Sequence, residues 1–181
     1  PTFSPSLTSA IDLKTHILKL ANSENLVFIK FHDLMDQKVI SEYKTLCKEY
    51  PNARIVEDNN IIKYLILSDI MISDTSSVVY EFLLLDKPVV TYKSKSKNLK
   101  WENISSYKQL ITSVNETIKY DKFKDERNWI IENYHPYTDG NSSKRMVDTL
   151  EQYILENPIP EQRKLPWGRK RKMIKMFGKV N

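Results

Sequence analysis

Short apolar runs alternate with amphipathic segments along the chain as far as residue 156. Four runs predict β-strands: LVFIKF (26–31), ARIV (53–56), DIMIS (69–73) and PVVTY (88–92). Apolar residues at helical spacing predict helices over residues 9–21, 39–50, 61–68, 76–85, 114–134 and 141–156. Strands that alternate with helices are typical of βαβ units, so the pattern predicts an α/β fold with a Rossmann-like parallel sheet flanked by helices.

Polar residues at the starts of two helices predict N-caps. Thr8 or Ser9 is expected to cap the first helix. Asn59 or Asn60 is expected to cap the third helix. No predicted strand precedes the first helix, and a doubly wound domain is expected to have one. We therefore expect that strand to lie upstream of residue 1.

The remaining segments suggest how the chain is divided. Residues 93–107 predict a polar loop, and QLITS (109–113) predicts a short edge strand. Residues 1–157 are expected to form one domain, and residues 158–181 a basic amphipathic tail.

The composition is that of a globular protein, with 40% hydrophobic and 10% aromatic residues. The single cysteine, Cys47, excludes a disulfide framework within the chain. Its place in a helical pattern predicts a packed thiol in a cytosolic protein. No apolar run approaches the ~18 residues that a membrane-spanning helix needs.

The formal net charge of +5 is concentrated at one end of the chain. Of 28 basic residues, eight lie between Arg163 and Lys179 without an acidic residue, which leaves 20 basic against 23 acidic residues elsewhere. We therefore expect no nucleic-acid-binding face on the folded domain. The tail interleaves its cations with Trp167, Ile174 and Phe177, which suits an anionic membrane surface. A disordered solubilising end and an RNA-binding segment are the alternatives.

One turn between a predicted strand and a predicted helix carries a candidate phosphate site. In DIMISDTSSVVYE, the hydroxyls of Thr75, Ser76 and Ser77 stand beside the first free amides of the helix. A helix N-terminus binds phosphate through such amides and through its dipole. The alternative is that Asp74 or Thr75 is an ordinary N-cap.

Glu81 lies about one and a half turns into the same predicted helix, among apolar neighbours. We expect a carboxylate in mostly buried surroundings, where hydrogen bonds from ribose hydroxyls would satisfy it. The alternatives are that it points to solvent or pairs with Lys87.

His32 follows the first predicted strand, at the sheet edge where ligands of open α/β sheets collect. Its imidazole could accept a proton from an attacking hydroxyl or stabilise phosphate charge. The alternative is a structural histidine, which is the prediction for His16 and His135. The sequence contains no metal-ligand cluster, P-loop or Gly-x-Gly-x-x-Gly, so neither a metal nor a cofactor is predicted.

Four motifs, in this order, resemble those of the CDP-glycerol glycerophosphotransferases of teichoic-acid and capsule synthesis: PTF (1–3), FIKFH (28–32), SDIMISDTSSVVYEFLLLDKPVVTY (68–92) and DGNSSKRMVD (139–148). The third also resembles the nucleotide-binding signature of GT-B glycosyltransferases and nucleotide-sugar 2-epimerases. The resemblance covers about residues 1 to 156. It implies the C-terminal half of a GT-B fold, with the N-terminal half upstream of this chain.

The same resemblance implies roles for individual residues. His32 matches the catalytic histidine of a Lys-x-His motif. The donor-binding positions are Thr75, Ser76, Ser77, Lys30 and Arg145 for the phosphates, Glu81 for the ribose, and Ile55 and Val56 for the base.

The chain departs from the family pattern at three places. Asp33 follows the histidine where the family usually has proline. Phe3 and Ser4 stand where Trp and Arg are common, which is closer to the capsule members. The family's His-Gly-Thr motif is expected upstream of residue 1.

Three functions remain open from the sequence. The first is transfer of glycerol phosphate, or a related polyol phosphate, from a CDP-activated donor to a hydroxyl of a cell-wall or capsule polymer, with release of CMP. The second is a GT-B glycosyltransferase that uses a nucleotide sugar. The third is a non-catalytic nucleotide-binding or membrane-docking module. The first implies a cytoplasmic protein held on the inner face of the membrane through residues 163–179, close to an acceptor carried on a lipid.

Overall fold

The computed structural model describes residues 1–158 and 165–178. Packing divides the chain into two compact units, Pro1–Pro136 and Tyr137–Asn181. No helix in the described ranges combines the length and the apolar character needed to span a bilayer. The domain boundary that the sequence suggests after residue 157 stays a prediction.

The first unit is built from alternating strands and helices. Its strands are β1 (Val27–Ile29), β2 (Ala53–Ile55), β3 (Met71–Ser73), β4 (Val89–Tyr92) and β5 (Glu102–Ile104). Its helices are α1 (Lys14–Leu18), α2 (Gln37–Leu46), α3 (Ile62–Leu67), α4 (Val78–Leu83), α5 (Leu110–Tyr120) and α6 (Lys124–Tyr134). Short 3₁₀ turns at Cys47–Glu49 and Tyr107–Gln109 follow α2 and precede α5.

All strand pairs are parallel. β1 pairs with β2, with Ile29 opposite Ile55. In a second sheet β4 lies between β3 and β5, with Tyr92 opposite Ile104. The predicted α/β fold with parallel strands and flanking helices is therefore confirmed, and its strands are distributed over two hydrogen-bonded sheets.

The core forms around β4, in which every residue is buried. Val90 packs in one cluster with Leu13 and Leu110, against which Val27 of β1 and Ile72 of β3 also pack. Strands from both sheets therefore share one apolar cluster, which places the loops that follow β1 and β3 around a common core.

The first predicted helix is largely wrong. Residues 9–21 contain a regular helix only at Lys14–Leu18, and Leu13 rather than Thr8 or Ser9 is its N-cap residue. The cause is the long-range bonding of Ser9, whose amide and hydroxyl both donate to Asp74. For the third helix, the Asn60 side chain does accept a hydrogen bond from the first helical amide, that of Ile62.

The structure differs from the predictions made after residue 92 in three respects. The polar segment 93–107 contains β5, whose backbone completes the sheet beside β4. QLITS is not a strand, because Leu110 begins α5 after a capping box at Ser106 and Gln109. The helix predicted over 114–134 is two helices, since Asp121 adopts a left-handed conformation (φ 40°) that ends α5.

The second unit contains α7 (Ser142–Glu156), close to the bounds predicted for it, and α8 (Trp167–Phe177). No residue of either helix is buried. Three of the tail cations named from the sequence, Arg163, Lys164 and Lys179, lie outside the described residues.

Candidate functional site

A cleft of about 260 Å³ lies at the carboxyl ends of β1 and β2. Four of the residues singled out from the sequence line it, namely Lys30, His32, Ile55 and Val56. They come from two strands whose registered ends, Ile29 and Ile55, are paired. The predicted catalytic histidine, one predicted phosphate contact and the predicted base contacts therefore share one opening.

The imidazole of His32 is held by two neighbours. The Leu34 amide donates to its Nδ1 at 3.1 Å, and the Phe3 ring lies 4.6 Å from it between centroids. Because Nδ1 accepts a hydrogen bond, the neutral ring carries its proton on Nε2. His32 is exposed, so this Nε2–H is able to donate to a ligand in the cleft.

Ion pairs balance much of the charge around the cleft. Lys30 Nζ lies 3.6 Å from the Asp33 carboxylate, and Lys44 Nζ lies 2.5 Å from that of Glu57. The hydrogen bond from Lys44 lowers the pKa of the Glu57 carboxyl below its usual value. The Lys30 side chain is the least exposed of these four, at 24%.

The turn after β3 has a different geometry from an ordinary cap. α4 begins at Val78, and Ser77 before it makes no side-chain capping hydrogen bond. Asp74 bonds elsewhere, and the Thr75 hydroxyl accepts from the Lys95 amide at 2.8 Å. The alternative in which Asp74 or Thr75 caps the helix is therefore wrong. The assignment of Thr75, Ser76 and Ser77 to the donor phosphates stays a prediction.

Asp74 ties this turn to the start of the chain. Its side chain is almost fully buried and accepts from the amides of Thr2 and Ser9 and from the Ser9 hydroxyl, each at 2.8 Å. Thr2 is followed by Phe3, which packs on His32. Since consecutive Cα atoms are about 3.8 Å apart, the turn after β3 and the loop after β1 lie close to each other.

Glu81 differs from its expectation. It is exposed and not in mostly buried surroundings, because it lies on the outer face of α4, away from the buried Phe82 and Leu83. Its proposed partner Lys87 donates instead to the carbonyls of Ile66 and Ser68. Its role toward a ribose stays a prediction that burial does not support.

Arg145 belongs to α7 in the second unit. Its guanidinium forms a bidentate pair with Asp139, at 2.9 and 2.5 Å, and stacks over the Tyr137 ring. This pair lowers the pKa of the Asp139 carboxyl, chiefly through the hydrogen bond from Arg145. The assignment of Arg145 to a donor phosphate stays a prediction.

Sequence reasoning missed the contacts that two residues make in this region, Phe3 and Asp74. Both stand in quoted motifs, but nothing local indicates that Phe3 packs on His32 or that Asp74 bonds Ser9 across 65 positions. Among the described residues, no group of three or more His, Cys, Asp or Glu side chains could hold a metal ion.

Comparison with known proteins agrees with the family resemblance of the sequence motifs. A family model described as CDP-Glycerol:Poly(glycerophosphate) glycerophosphotransferase matches residues 3–100, more than half of the chain. The teichoic acid glycerol-phosphate primase of Bacillus subtilis (strain 168) is 25% identical over 171 residues, covering 85% of this chain and 42% of that protein. The primase of Bacillus spizizenii (strain ATCC 23059 / NRRL B-14472 / W23) is 28% identical over 140 residues, covering 71% and 35%. The chain thus spans less than half the length of these relatives.

Two solved structures share the fold. UDP-GlcNAc 2-epimerase from Neisseria meningitidis, bound to UDP-GlcNAc, superposes with a TM-score of 0.57 at 23% identity, over 78% of this chain and 40% of that one. The crystal structure of TarM superposes with a TM-score of 0.53 at 16% identity, over 84% and 33%. These similarities show that the chain has the Rossmann-like α/β fold of a GT-B half.

Proposed function

The chain belongs to the CDP-glycerol:poly(glycerophosphate) glycerophosphotransferase family, and on that basis we propose that it is the donor-binding part of a polyol-phosphate transferase. In the proposed reaction, a hydroxyl of a cell-wall or capsule polymer attacks the phosphorus that carries the glycerol of CDP-glycerol. A phosphodiester bond forms, the pyrophosphate bridge breaks and CMP leaves. The acceptor hydroxyl gives up its proton in this step, and the proton passes through water to the phosphate of the departing CMP.

The observation that carries the proposal is the shared cleft of Lys30, His32, Ile55 and Val56. Ile55 and Val56 offer an apolar edge and backbone groups to a base, while Lys30 offers a cation to a phosphate. His32 lines the same cleft, in the loop that follows β1. Phosphoryl transfer depends mainly on alignment and on neutralisation of charge, which these groups supply.

The hydrogen bond from Leu34 supports one of the two roles expected of His32. An imidazole whose Nδ1 accepts a bond and whose Nε2 carries the proton donates to a phosphate oxygen. The same tautomer has no free nitrogen to take a proton from a hydroxyl. We therefore assign His32 to stabilisation of phosphate charge rather than to proton abstraction.

The turn before α4 would hold the rest of the pyrophosphate. Its proximity to His32 follows from the Thr2–Phe3 link between Asp74 and the His32 ring. The amides ahead of Val78 precede the first helical turn and supply donors for an anion. Ser76 and Ser77 add hydroxyls at the same place.

The polymer acceptor would be carried on a lipid, and α8 would hold the protein on the cytoplasmic face of the membrane. At 100° per residue, Trp167, Met173, Ile174 and Phe177 fall within about a third of the helix circumference. All four are exposed, by 75%, 45%, 41% and 74%. The helix carries five cations and no acid, as expected for an amphipathic segment on an anionic bilayer.

The experiment is titration calorimetry of the chain with CDP-glycerol, CMP, UDP-sugars and ATP. We expect CDP-glycerol and CMP to bind, and UDP-sugars and ATP to bind more weakly. A preference for a UDP-sugar would point instead to a glycosyltransferase. Failure of every nucleotide to bind would leave only a docking module and would refute the proposal.

A further inference from the structure

A second opening of about 290 Å³ lies at the carboxyl ends of β4 and β5. We call it the β4–β5 pocket; its lining residues are Asp12, Tyr92, Lys93, Ser105, Ser106 and Tyr107. None of them lines the His32 cleft. Ligands of open α/β sheets bind at the carboxyl ends of the strands, so the position is suited to a ligand.

Asp12 accepts hydrogen bonds from the described residues at only one of its two carboxylate oxygens. The Tyr92 hydroxyl donates to its Oδ2 at 2.9 Å, and Lys93 Nζ donates to the same oxygen at 3.3 Å. The hydrogen bond from Tyr92, followed by that from Lys93, lowers the pKa of the Asp12 carboxyl. The carboxyl is therefore ionised at neutral pH, and its Oδ1 accepts no bond from the described residues.

The charges of the pocket decide the class of ligand. Lys93 is the cation among the lining residues, and it is paired with Asp12 and also stacked over the Tyr92 ring, 4.7 Å from the centroid. The pocket is therefore close to neutral, and a phosphate would meet the Asp12 carboxylate. Ser105 and Ser106 add hydroxyl groups, so the lining suits a neutral ligand that both donates and accepts hydrogen bonds.

An aromatic side chain, that of Tyr107, also lines the pocket. The Tyr107 ring lies 4.5 Å from that of His16 between centroids, and Tyr107 is 41% exposed. An exposed ring packed against a second ring presents an apolar face to the pocket. Such a face matches the C–H side of a sugar or a polyol, whose hydroxyls would reach Asp12.

The backbone at this pocket is strained. Lys93 adopts φ +49°, a left-handed conformation that is uncommon for a residue other than glycine. Its amide is nevertheless fixed by the Ile104 carbonyl at 2.9 Å. Residues held in such conformations cluster at ligand-binding sites.

From these contacts we propose that the β4–β5 pocket binds a neutral polyhydroxylated unit, a sugar or a polyol, with Asp12 accepting its hydroxyls and Tyr107 covering its apolar face. The inference rests on the proposed function, in which such units occur in two places. One is the polyol of the activated donor, and the other is the hydroxyl-bearing end of the acceptor polymer.

The test is an NMR titration of the ¹⁵N-labelled chain with glycerol, N-acetylglucosamine and glycerol 3-phosphate. We expect saturable shifts at the amides of Ser105, Ser106 and Tyr107 with a neutral probe, and weaker binding of glycerol 3-phosphate. If neither neutral probe shifts these amides, or if the phosphate binds more tightly, the inference is wrong.

Titrations with CDP-glycerol and with CMP distinguish the donor polyol from the acceptor polymer as the source of the bound unit. Shifts at these three amides with CDP-glycerol but not with CMP would support the donor polyol as the ligand. Shifts with N-acetylglucosamine that persist when the protein is saturated with CDP-glycerol would support the acceptor. If the chain bound a neutral probe but no nucleotide, the proposed function would fail while the pocket stood.

The matched variants are Asp12→Asn and Asp69→Asn. Asn keeps the shape of Asp12 and an oxygen for Tyr92, but it loses the charge, so we expect the neutral probe to bind about tenfold more weakly. Asp69 is an exposed residue just before β3, at the opposite end of the strands, and its replacement should leave probe affinity unchanged. The affinity for CMP, measured by calorimetry, reports on the separate His32 cleft, and neither substitution should change it. Unchanged probe affinity in Asp12→Asn, or equal losses in both variants, would overturn the inference.

Discussion

Ser9 donates two hydrogen bonds to the same carboxylate oxygen of Asp74, one from its amide and one from its hydroxyl, both at 2.8 Å. Ser9 and Asp74 are exposed by only 2% and 1%. A buried carboxylate is tolerated when it is hydrogen-bonded, and here it fixes the turn ahead of α4. The predicted phosphate turn is thus positioned by a residue 65 places away.

Replacing Asp74 by alanine should lower the free energy of unfolding by about 3 kcal/mol, because buried donors of Ser9 lose their partner. Asp74→Asn should cost less, since its one oxygen can still accept. Urea denaturation measures both values. The exposed Asp69→Asn serves as the control and should change stability by no more than about 0.5 kcal/mol. Equal stability of Asp74→Ala and the control would contradict the anchoring role.

A group of ion pairs around the buried Arg127 predicts how stability depends on pH. The Arg127 side chain, 1% exposed, bonds Asp86 at 2.8 Å and pairs with Asp121 at 2.6 Å. Chiefly through its hydrogen bond, Arg127 lowers the pKa of the Asp121 carboxyl. A lowered pKa in the folded state stabilises the protein above the unfolded value, about 3.9, and this stabilisation is lost as the pH falls through the folded pKa.

Asp121→Asn removes this contribution without disturbing the turn, since asparagine tolerates the left-handed conformation of Asp121. We expect the variant to be less stable than the wild type at pH 7, and the difference to shrink as the pH falls below about 4. Urea denaturation across this range gives both curves. A difference that stays constant with pH would show that the carboxylate charge is not responsible.

The local sequence pattern predicts those strands and helices whose own apolar residues are buried in the core. β3 and β4 were visible because their runs are short, apolar and bounded by turn signals. β5 was not, since Glu102 is polar and half-buried and Asn103 is polar and exposed, and their strand character comes from pairing with β4. Edge strands of this kind are defined by the neighbouring strand rather than by their own sequence.

The candidate site, too, was predictable only in part. The positions of Lys30, His32, Ile55 and Val56 follow from strand ends, which the sequence indicates, and the structure brings these residues to one cleft. The exposure of Glu81 does not follow from its apolar neighbours, because a helix of six residues turns one face outward regardless of the residues beside it.

The tautomer of His32 predicts the effect of its replacement on donor affinity. If Nε2–H donates to a phosphate oxygen, His32→Ala should weaken CDP-glycerol binding about tenfold, as expected for a hydrogen bond to a charged group. His32→Gln should retain part of the affinity, since its amide can donate from a similar position. Calorimetry compares both with His135→Ala, an exposed histidine at the end of α6. A general base would leave donor affinity unchanged, so equal affinities in all three variants would refute the assignment.

The charge and the apolar face of α8 predict its response to lipid composition. The chain should sediment with phosphatidylglycerol vesicles and much less with phosphatidylcholine vesicles, because each basic residue near an anionic surface contributes about 1 kcal/mol. Replacing Arg171, Lys172 and Lys175 by serine should therefore weaken binding by about 3 kcal/mol, or roughly a hundredfold.

Ile174→Ser and Phe177→Ser test the apolar face of α8 separately. Together they should weaken binding to phosphatidylglycerol vesicles even with all five cations in place, because the helix then has less apolar surface to bury among the lipids. As a control, Lys144→Ser removes one cation outside α8, at an exposed lysine of α7 that pairs with Asp148, and this variant should bind as the wild type does. If salt abolished binding while the apolar substitutions had no effect, the helix would act by charge alone. Retention of the chain by RNA in preference to anionic vesicles would then identify a different partner and overturn the membrane assignment.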